Sequence, residues 1–536
     1  MLLLAATASL ALYLQVLAVA PKLLGAVRSY PGQVFPWAEP LIDWLLLRRQ
    51  DLLEDAGRAA LHTAAAERLA VLLLGLFAAY GLALCAVAGR RSRALEALVF
   101  GAGTVFLTIQ AVGPAMLSAD LFSYVMYGRI FALYGGDPYL DLAKQYAGDP
   151  YLRLVYWNDI PSFYGPLWTL LSGGLALLGG ERIGLTVLLF RSLAIAAALA
   201  SGALLWVSLR RIAPDRAAQG LVFFLWNPLL VLETGLSGHN DALLVALLLL
   251  GIWLHLGGRR AFAAVAMSLS AMVKLTAIPV LGLYLLLVLR QLPTWRERAK
   301  YAAASGLGMA LAVGCVLAAA RAGPAVLGVA TLGSGVGRYT NSLQEVLLAD
   351  LRLALGEEPD AKAAGANGLD RFLTAPRRFT LSGTRPSATA LQANAYLRLT
   401  CWLAFGAFGL LAARRARDLR GFLVWSAATM LASYWLVSAW FFPWYVIWAL
   451  ALAALVPTSA AAGLTAILSA SVFSIYVGFS LMGSDHWWIY IYRSLPAFLL
   501  PPLLFFLARP AASFARRLRV GGSQTVPALP RGQKAG

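Results

Sequence analysis

The sequence has few charged residues, few acidic residues and almost no cysteine. Charged residues make up 13% of its 536 residues, and its mean hydropathy is +0.72. Soluble domains contain about 25% charged residues, so this composition excludes an ordinary soluble enzyme and a disordered chain. The three cysteines, Cys85, Cys315 and Cys401, lie in or beside apolar runs and lack metal-ligand spacing. This pattern excludes a disulfide framework and a cysteine-based zinc site.

Several enzyme motifs are also absent. The chain has no phosphate-binding Walker loop, no dinucleotide glycine fingerprint, no H-E-x-x-H zinc helix and no G-x-S-x-G nucleophile elbow. These absences argue against a nucleotide donor bound in a cytosolic domain. The energy for any reaction outside the membrane would then have to arrive on a membrane-borne carrier.

Long apolar runs dominate what is present, with 60% hydrophobic residues. We expect an all-α polytopic membrane protein with about 14 transmembrane helices, since each run can cross about 30 Å of hydrocarbon. Lys274 and Pro279 interrupt the run 261–290, which predicts two short helices there. Segment 165–180 is predicted to be re-entrant or to lie along the surface, because two full spans there would break the alternation of sides. The alternative is that the basic cluster at 210–216 is wrongly assigned to the cytoplasmic side. The other runs are 1–20, 68–89, 94–117, 183–208, 217–235, 241–257, 300–320, 396–413, 421–438, 443–457, 460–481 and 488–508.

Basic residues outnumber acidic residues by 44 to 25, and they are clustered. About half of them fall in six short segments, near 90–93, 210–216, 259–260, 290–300, 414–420 and 509–534. Because cytoplasmic loops collect Lys and Arg, the net charge of +19 is interpreted as a topology signal and not as a nucleic-acid surface. It predicts a multi-pass protein of the cytoplasmic (inner) membrane, with both termini cytoplasmic and any active site facing the periplasm or cell exterior.

The same topology predicts a domain organisation. A transmembrane module occupies the N-terminal part, and its first large outer loop carries interfacial helices. An extracytoplasmic insertion or lid, C-terminal transmembrane helices and a basic cytoplasmic tail follow. The predicted boundaries are 1–320, with the outer loop at 118–165, then 321–395, 396–508 and 509–536.

The first outer loop offers a carboxylate and two tyrosines on one helical face. Asp120, Tyr124 and Tyr127 have i, i+4, i+7 spacing, typical of an amphipathic helix at the membrane interface. Asp120 is interpreted either as the N-cap of that helix or as a catalytic carboxylate with a tuned pKa. Arg129 follows as a potential phosphate ligand, or as ordinary surface charge.

Two further polar groups are expected at the outer side of this loop. Asp159 is a second, weaker carboxylate, and Tyr164 lies in a Y-G-P turn that opens the next helix. An aromatic belt at the membrane interface explains Tyr164 equally well.

Further along the chain, G-H-N-D opens an apolar helix with His239, Asn240 and Asp241. One of the last two residues can cap the helix, but ionisable groups at membrane depth are costly and suggest a functional site. Lys274 either extends to the surface or holds a phosphate. Arg338 is another potential phosphate ligand, with surface charge as the alternative.

Aromatic residues mark two further outer segments. Trp440, Trp444 and Tyr445 join two helices, and His486 lies in the stretch D-H-W-W. These residues form either an aromatic belt or a stacking wall for a sugar ring or a polyprenyl chain.

Taken in order, five motifs resemble the integral-membrane glycosyltransferases of the GT-C superfamily. The greatest likeness is to the polyprenol-phosphate-mannose-dependent α-mannosyltransferases of bacterial lipomannan-type glycan synthesis. The motifs span residues 118–450 and are S-A-D-L-F-S-Y-V-M-Y-G-R with G-G-D-P-Y, then Y-G-P-L, G-H-N-D-A-L, M-V-K-L-T-A and F-P-W-Y-V-I-W-A-L.

The resemblance implies a GT-C-like helical bundle and an inverting transfer from a lipid-phosphate sugar, with Asp120 as catalytic base. Many relatives carry an acidic pair where this chain has Ala119 before Asp120. That difference speaks against a metal-bridged mechanism, so no cofactor is expected, and Asp159 or Asp241 remains as a helper. Lys274, Arg129 and His239 are the expected partners of the departing phosphate. The implied partners are a polyprenyl-phosphate sugar, a glycan or glycolipid acceptor and membrane lipid, without nucleic acid.

Two other hypotheses stay open at this point. A transporter or flippase of lipid-linked sugars would share the polytopic form and the basic inner loops. Such proteins often contain inverted repeats and midplane sites, whereas here the polar residues gather at one face and no repeat is found. A structural partner of a cell-envelope complex with a degenerate site is the third hypothesis.

Overall fold

A computed structural model describes residues 1–23, 58–113, 117–328, 340–354, 388–480 and 492–507. These residues are largely helical and contain one isolated parallel bridge, between Thr340 and Trp440. The predicted sites Arg338 and His486, the tail 509–536 and much of the insertion 321–395 lie outside them.

The helices are named α1 to α19 in chain order. Their bounds are α1 Leu2–Leu23, α2 Arg58–Val87, α3 Arg93–Ala111, α4 Asp120–Ala132, α5 Pro166–Gly179, α6 Ile183–Ile212, α7 Ala217–Leu225, α8 Pro228–Leu236, α9 Asp241–Leu256, α10 Arg260–Ala271, α11 Ile278–Gln291, α12 Trp295–Ala319, α13 Leu343–Ala354, α14 Ala388–Arg415, α15 Leu419–Leu436, α16 Val446–Ala454, α17 Ala460–Ser471, α18 Ser474–Ser480 and α19 Leu495–Leu507. Short 3-10 turns lie at Ala143–Gln145, Leu152–Leu154, Pro214–Arg216, Leu275–Ala277, Pro324–Leu327 and Pro443–Tyr445.

Several helices have the length and composition of membrane spans, which confirms a polytopic helical membrane protein. Six helices in the described ranges qualify, or seven if the bent pair Pro214–Leu225 and Pro228–Leu236 is one span. The larger number of crossings expected from the sequence stays a prediction. The six are Ala66–Val87, Arg93–Ala111, Ile183–Ile212, Trp295–Ala319, Gln392–Arg415 and Ala460–Gly478.

The run 217–235, predicted as one span, is broken. Its two halves, α7 and α8, meet at an angle of 44°. Asn227 stands at the bend, where its side chain accepts a hydrogen bond from the Leu229 amide at 3.0 Å. Pro228 occupies the first helical position, which tolerates its missing N–H. The chain then forms a π-helix over Val231–Leu236, a rare conformation that is frequent at functional sites.

The break predicted in 261–290 is confirmed. Helices α10 and α11 are separated by a short 3-10 turn, and Lys274 is the residue just before that turn. Pro279 lies in the first turn of α11, where proline is compatible with a helix. The lysine therefore sits at a helix break and not in the middle of an apolar helix.

Helix α4 is enclosed by protein and is not an amphipathic helix with one exposed polar face, so that part of the prediction is wrong, whereas its position at the membrane interface stays a prediction. Nearly all of its side chains are buried, and it packs on α5 so closely that a Cβ atom added to Gly128 would lie 2.4 Å from the carbonyl oxygen of Ser172. The polar residues of α4 are not turned to lipid headgroups, because they hydrogen-bond to other parts of the protein. Helix α5, at about 21 Å for 14 residues, is shorter than the hydrocarbon layer.

Residues 340–354, which belong to the predicted insertion, pack beside the aromatic segment 440–445. The Thr340 amide donates to the Ala439 carbonyl at 3.0 Å, and the Phe441 amide donates to the Thr340 carbonyl at 2.9 Å. Gln344, in α13, donates to the Leu436 carbonyl at 2.6 Å. These bonds fix the chain next to Trp440.

Candidate active site

Asp120 begins α4, but its carboxylate faces the protein interior. The N-cap position belongs to Ala119, and no side chain caps the helix, so the interpretation of Asp120 as a cap is wrong. Its carboxylate accepts hydrogen bonds from Trp157 Nε1 at 3.1 Å and from the Tyr164 hydroxyl at 3.3 Å. Only 7% of the residue is exposed.

These surroundings change the acidity of the carboxylate. Burial raises the pKa of Asp120 to about 6, while the Trp157 hydrogen bond, the positive charge of Lys274 and the Tyr164 hydrogen bond act in the opposite direction. The negative charge of Asp241 raises the pKa slightly further. A carboxylate with this pKa is ionised at neutral pH and is a better base than an exposed aspartate.

Lys274 and Asp241 form a buried ion pair next to Asp120. The Lys274 ammonium lies 2.8 Å from both carboxylate oxygens of Asp241, and Trp448 Nε1 donates to the same carboxylate at 2.6 Å. The ammonium also lies 5.4–5.7 Å from the ring centroids of Tyr164, Tyr445 and Trp448. Lys274 therefore does not extend to the surface, and an aromatic cage surrounds its charge.

His239 occupies the other side of the cluster. Its Nδ1 atom lies 3.1 Å from the Tyr124 hydroxyl, and its ring stacks on Trp444 with a centroid distance of 3.9 Å. Burial, together with the charge of Lys274, holds the pKa of His239 well below its usual value. The imidazole is therefore neutral, and it serves as a hydrogen-bonding group and not as a cation for a phosphate.

Glu233 is the residue that sequence reasoning missed. It lies in the π-helical part of α8, its Oε2 atom is 3.4 Å from His239 Nε2, and its Oε1 atom accepts from the Tyr476 hydroxyl at 2.7 Å. The available signal was a single acidic residue inside the apolar run 217–235. Ionisable residues in such runs usually face a cavity or a partner.

Asn240 stands at the N-terminal end of α9 without capping it. The residue is buried, and neither its amide oxygen nor its amide nitrogen has a hydrogen-bond partner among the described residues. Asp241 is the first residue of α9, but its carboxylate is taken up by Lys274 and Trp448. The prediction that one of these side chains caps the helix is therefore wrong, and the Asn240 amide can bind a ligand hydroxyl.

Tyr127 and Asp159 are two other predicted site residues in the first outer loop. Tyr127 donates a hydrogen bond to the Ile160 carbonyl at 2.9 Å. Asp159 is half-buried and adds negative charge near Tyr127. Both residues lie in the loop that delivers Trp157 and Tyr164 to Asp120.

Arg129 is bound elsewhere in the fold. Its Nε atom lies 2.6 Å from Asp149, one terminal nitrogen donates to the Gly180 carbonyl at 2.8 Å, and the guanidinium stacks on Tyr151. The ion pair is almost fully buried. Arg129 therefore links α4 to the outer loop, is not a surface charge, and is not carried into the proposed phosphate site.

The aromatic segment forms a wall of the site and not only a membrane belt. The rings of Trp440 and Trp157 lie 4.9 Å apart, and Trp157 donates to Asp120. Trp444 stacks on His239, and Tyr445 stacks on Trp448 at 4.6 Å. Trp444 thus contacts His239 directly, whereas Trp440 is linked to Asp120 through Trp157 and Tyr445 to Asp241 through Trp448.

Residues 46–290 match the family described as "Alpha-(1->6)-mannopyranosyltransferase, N-terminal domain". A probable alpha-(1->6)-mannopyranosyltransferase of Mycolicibacterium smegmatis is 30% identical over 155 residues, covering 27% of this chain and 27% of the relative. Alpha-(1->6)-mannopyranosyltransferase A of Corynebacterium glutamicum is 30% identical over 165 residues, covering 29% and 32%. An alpha-(1->6)-mannopyranosyltransferase of Mycobacterium tuberculosis is 30% identical over 155 residues, covering 27% of this chain and 25% of the relative.

The chain thus spans about a quarter to a third of the length of these curated relatives. Asp120, Glu233, Asp241 and Lys274 all lie inside the part that matches the family. The resemblance to GT-C mannosyltransferases is confirmed, and it rests on residues 46–290, the part of this chain that is similar to the N-terminal domain of alpha-(1->6)-mannopyranosyltransferases.

Proposed function

We propose that the protein transfers a hexose, specifically mannose, from a polyprenyl-phosphate donor to a glycan or glycolipid acceptor. The transfer takes place at the outer face of the cytoplasmic membrane and inverts the anomeric centre. The observation that carries this proposal is the buried Asp120 carboxylate, held by Trp157 and Tyr164 beside the Lys274–Asp241 pair. Its position within the stretch that matches a mannosyltransferase family supports the choice of sugar.

Asp120 acts as the general base in this reaction. It takes the proton of the acceptor hydroxyl while that oxygen forms a bond to the anomeric carbon. The bond between the anomeric carbon and the phosphate oxygen breaks on the opposite face, and the electron pair leaves with the lipid phosphate. One carboxylate suffices, because no covalent intermediate is formed.

Lys274 supplies the positive charge for the departing phosphate. It is the cation adjacent to Asp120, whose pKa it lowers. In the free protein Asp241 neutralises the ammonium at 2.8 Å, so a phosphate would join an existing ion pair instead of meeting a bare charge. The rings of Tyr445 and Trp448 hold the ammonium in place while the phosphate joins the ion pair.

The remaining residues bind the sugar and the lipid. The amide of Asn240 is free to meet a sugar hydroxyl, and the wall containing Trp440, Trp444 and Tyr445 offers ring faces for stacking. Aromatic faces and a few polar groups are a common combination in ligand sites.

The decisive test uses the purified protein in detergent or nanodiscs with polyprenyl-phosphate-mannose and a mannoside acceptor. We expect Asp120→Asn to lower the transfer rate by about 10²–10⁴-fold, the usual contribution of a general base. Asp141→Asn is the matched control, since Asp141 lies in the same outer loop and accepts from Tyr146 at 2.9 Å. It should retain activity, and full activity of Asp120→Asn would contradict the assignment.

The transporter hypothesis is distinguished by the same protein in sealed vesicles. Movement of lipid-linked mannose across the bilayer without formation of a glycosidic product would favour a flippase. Product formation that depends on Asp120, without such movement, would favour the transferase.

A further inference from the structure

A buried carboxyl group lies at the end of the broken span and forms no ion pair with a described Lys or Arg. This residue, Glu233, is fully buried in α8. An isolated carboxylate in such surroundings is costly, so the group keeps its proton. Because its Oε1 atom already accepts from Tyr476, the proton is held on Oε2, the oxygen that faces His239.

From this carboxyl group a row of hydrogen-bonding groups leads to Asp120. Glu233 Oε2 lies 3.4 Å from His239 Nε2, and His239 Nδ1 lies 3.1 Å from the Tyr124 hydroxyl. The rings of Tyr124 and Tyr164 meet edge to face, with their centroids 4.8 Å apart. The Tyr164 hydroxyl donates to Asp120 Oδ2 at 3.3 Å.

The chemistry of Glu233, His239 and Tyr124 gives the first part of this row one direction. A neutral imidazole donates from one nitrogen and accepts at the other. If Glu233 donates to Nε2, then His239 must carry its proton on Nδ1 and donate it to the Tyr124 oxygen. The Tyr124 ring packs edge to face on Tyr164, whose hydroxyl donates to Asp120.

We propose that Glu233 is a positioning residue for the base: its proton sets the tautomer of His239, the imidazole holds the Tyr124 hydroxyl, and the Tyr124 ring packs on Tyr164, the donor to Asp120. The ring contact between Tyr124 and Tyr164 keeps the Tyr164 hydroxyl directed at one carboxylate oxygen of Asp120, so the carboxylate does not turn away from the acceptor. The expected effect on the transfer rate rests on the proposed function, whereas the tautomer of His239 is a property of the folded protein alone.

The π-helix explains how Glu233 reaches this place. The His239 amide donates to the Glu233 backbone carbonyl at 3.0 Å, so the backbone and the side chain of Glu233 both contact the same residue. Gly238, with φ at +70°, makes the turn between them. The local backbone therefore fixes the spacing between the acid and the imidazole.

The first test reads the tautomer of His239 directly. The chain has four histidines, so protein labelled with ¹⁵N-histidine in nanodiscs gives few ring signals, and His239→Gln identifies the one of interest. We expect a proton on Nδ1 in the wild type and in Glu233→Gln, whose amide still donates, and a shift toward Nε2 in Glu233→Leu. A wild-type His239 with its proton on Nε2 would overturn the proposal, whether or not the protein transfers mannose.

The second test separates positioning from charge and from folding. For Glu233→Leu we expect kcat about tenfold or more below wild type at nearly unchanged KM, since small errors in position are costly in catalysis. Glu233→Gln should lie within about threefold of wild type, because it keeps the donor. Equal losses in both variants would contradict the donor role.

Glu96→Leu is the matched control for a lost buried carboxyl group. Glu96 is buried in α3, where its carboxylate accepts from Trp206 and Arg210. It makes no contact with Glu233, His239, Tyr124 or Tyr164 among these bonds. We expect this variant to lower the melting temperature but to leave kcat per folded molecule unchanged. A kcat loss in Glu96→Leu as large as in Glu233→Leu would assign both effects to folding and would also overturn the proposal.

Discussion

At the scale of single residues, the basicity of Asp120 comes from its environment and not from its place at a helix start. Burial raises its pKa, whereas Trp157, Lys274 and Tyr164 favour the ionised form. The sequence pointed to Asp120 but not to the groups that set its pKa, because Trp157 and Tyr164 are 37 and 44 residues away along the chain.

The pH dependence of the transfer follows from this balance. The base must be ionised, so we expect kcat/KM to rise about tenfold per pH unit below pH 6 and to level off above it. Trp157→Phe removes a hydrogen bond that lowers the pKa of Asp120, so its acidic limb should move to higher pH. Initial rates between pH 4.5 and 8 provide the measurement, and an unmoved limb would contradict the role of Trp157.

The ion pair between Lys274 and Asp241 gives a second prediction at this scale. Removing one partner leaves a buried charge alone, so Lys274→Met and Asp241→Leu should each destabilise the protein by about 3–5 kcal/mol. The double variant should be less destabilised than the sum of the two, and it should remain inactive. Unfolding of the four proteins in the same detergent measures the coupling, and strict additivity would show that the two groups act independently.

At the scale of elements, the contact between α4 and α5 decides where Asp120 points. A methyl group at position 128 would collide with the backbone of α5, so Gly128→Ala should push the helices apart. We expect a loss of about 1–3 kcal/mol in unfolding free energy, together with reduced transfer. Gly174→Ala is the control, because Gly174 lies in the partner helix α5 and a Cβ atom added there would meet open space. It should be neutral or slightly stabilising, and equal losses in both variants would contradict the close contact.

Sequence reasoning succeeded for elements whose cause is local. The break around Lys274 was predictable because a charge and a proline interrupt an apolar run. The burial of α4 was not, since the partners of its tyrosines, Ile160 and His239, come from distant segments. The bend at Asn227 was missed for the same reason, as its amide binds Ser469 on α17 at 3.0 Å.

At the scale of the whole molecule, the basic loops predict which end of the bundle faces the cytoplasm. The site residues should then face outward. We expect a cysteine introduced at Asn158, in an otherwise cysteine-free variant, to react with a membrane-impermeant maleimide in intact cells, and one introduced at Arg91 to react only after permeabilisation. Both positions are exposed in the structure. The opposite labelling pattern would invert the proposed orientation.

The assembled site also shows what a linear sequence leaves open for the whole chain. The motifs at 118–129, 238–241, 274 and 440–445 were identified separately, and the structure brings three of their side chains, Asp120, Asp241 and Lys274, into one electrostatic cluster. Their mutual distances depend on helix packing, which no local pattern encodes. The choice between structural and functional interpretations, as for Arg129, became possible only with these distances.

The deep burial of Asp120 affects how much lipid-linked sugar is lost to hydrolysis. Water is the commonest competitor of any acceptor hydroxyl, and a base open to solvent would activate it as readily as the intended nucleophile. With its base enclosed by Trp157, Tyr164 and the aromatic wall, the resting protein gives bulk solvent little access to that base. A donor waiting for its acceptor would then be protected from wasteful hydrolysis.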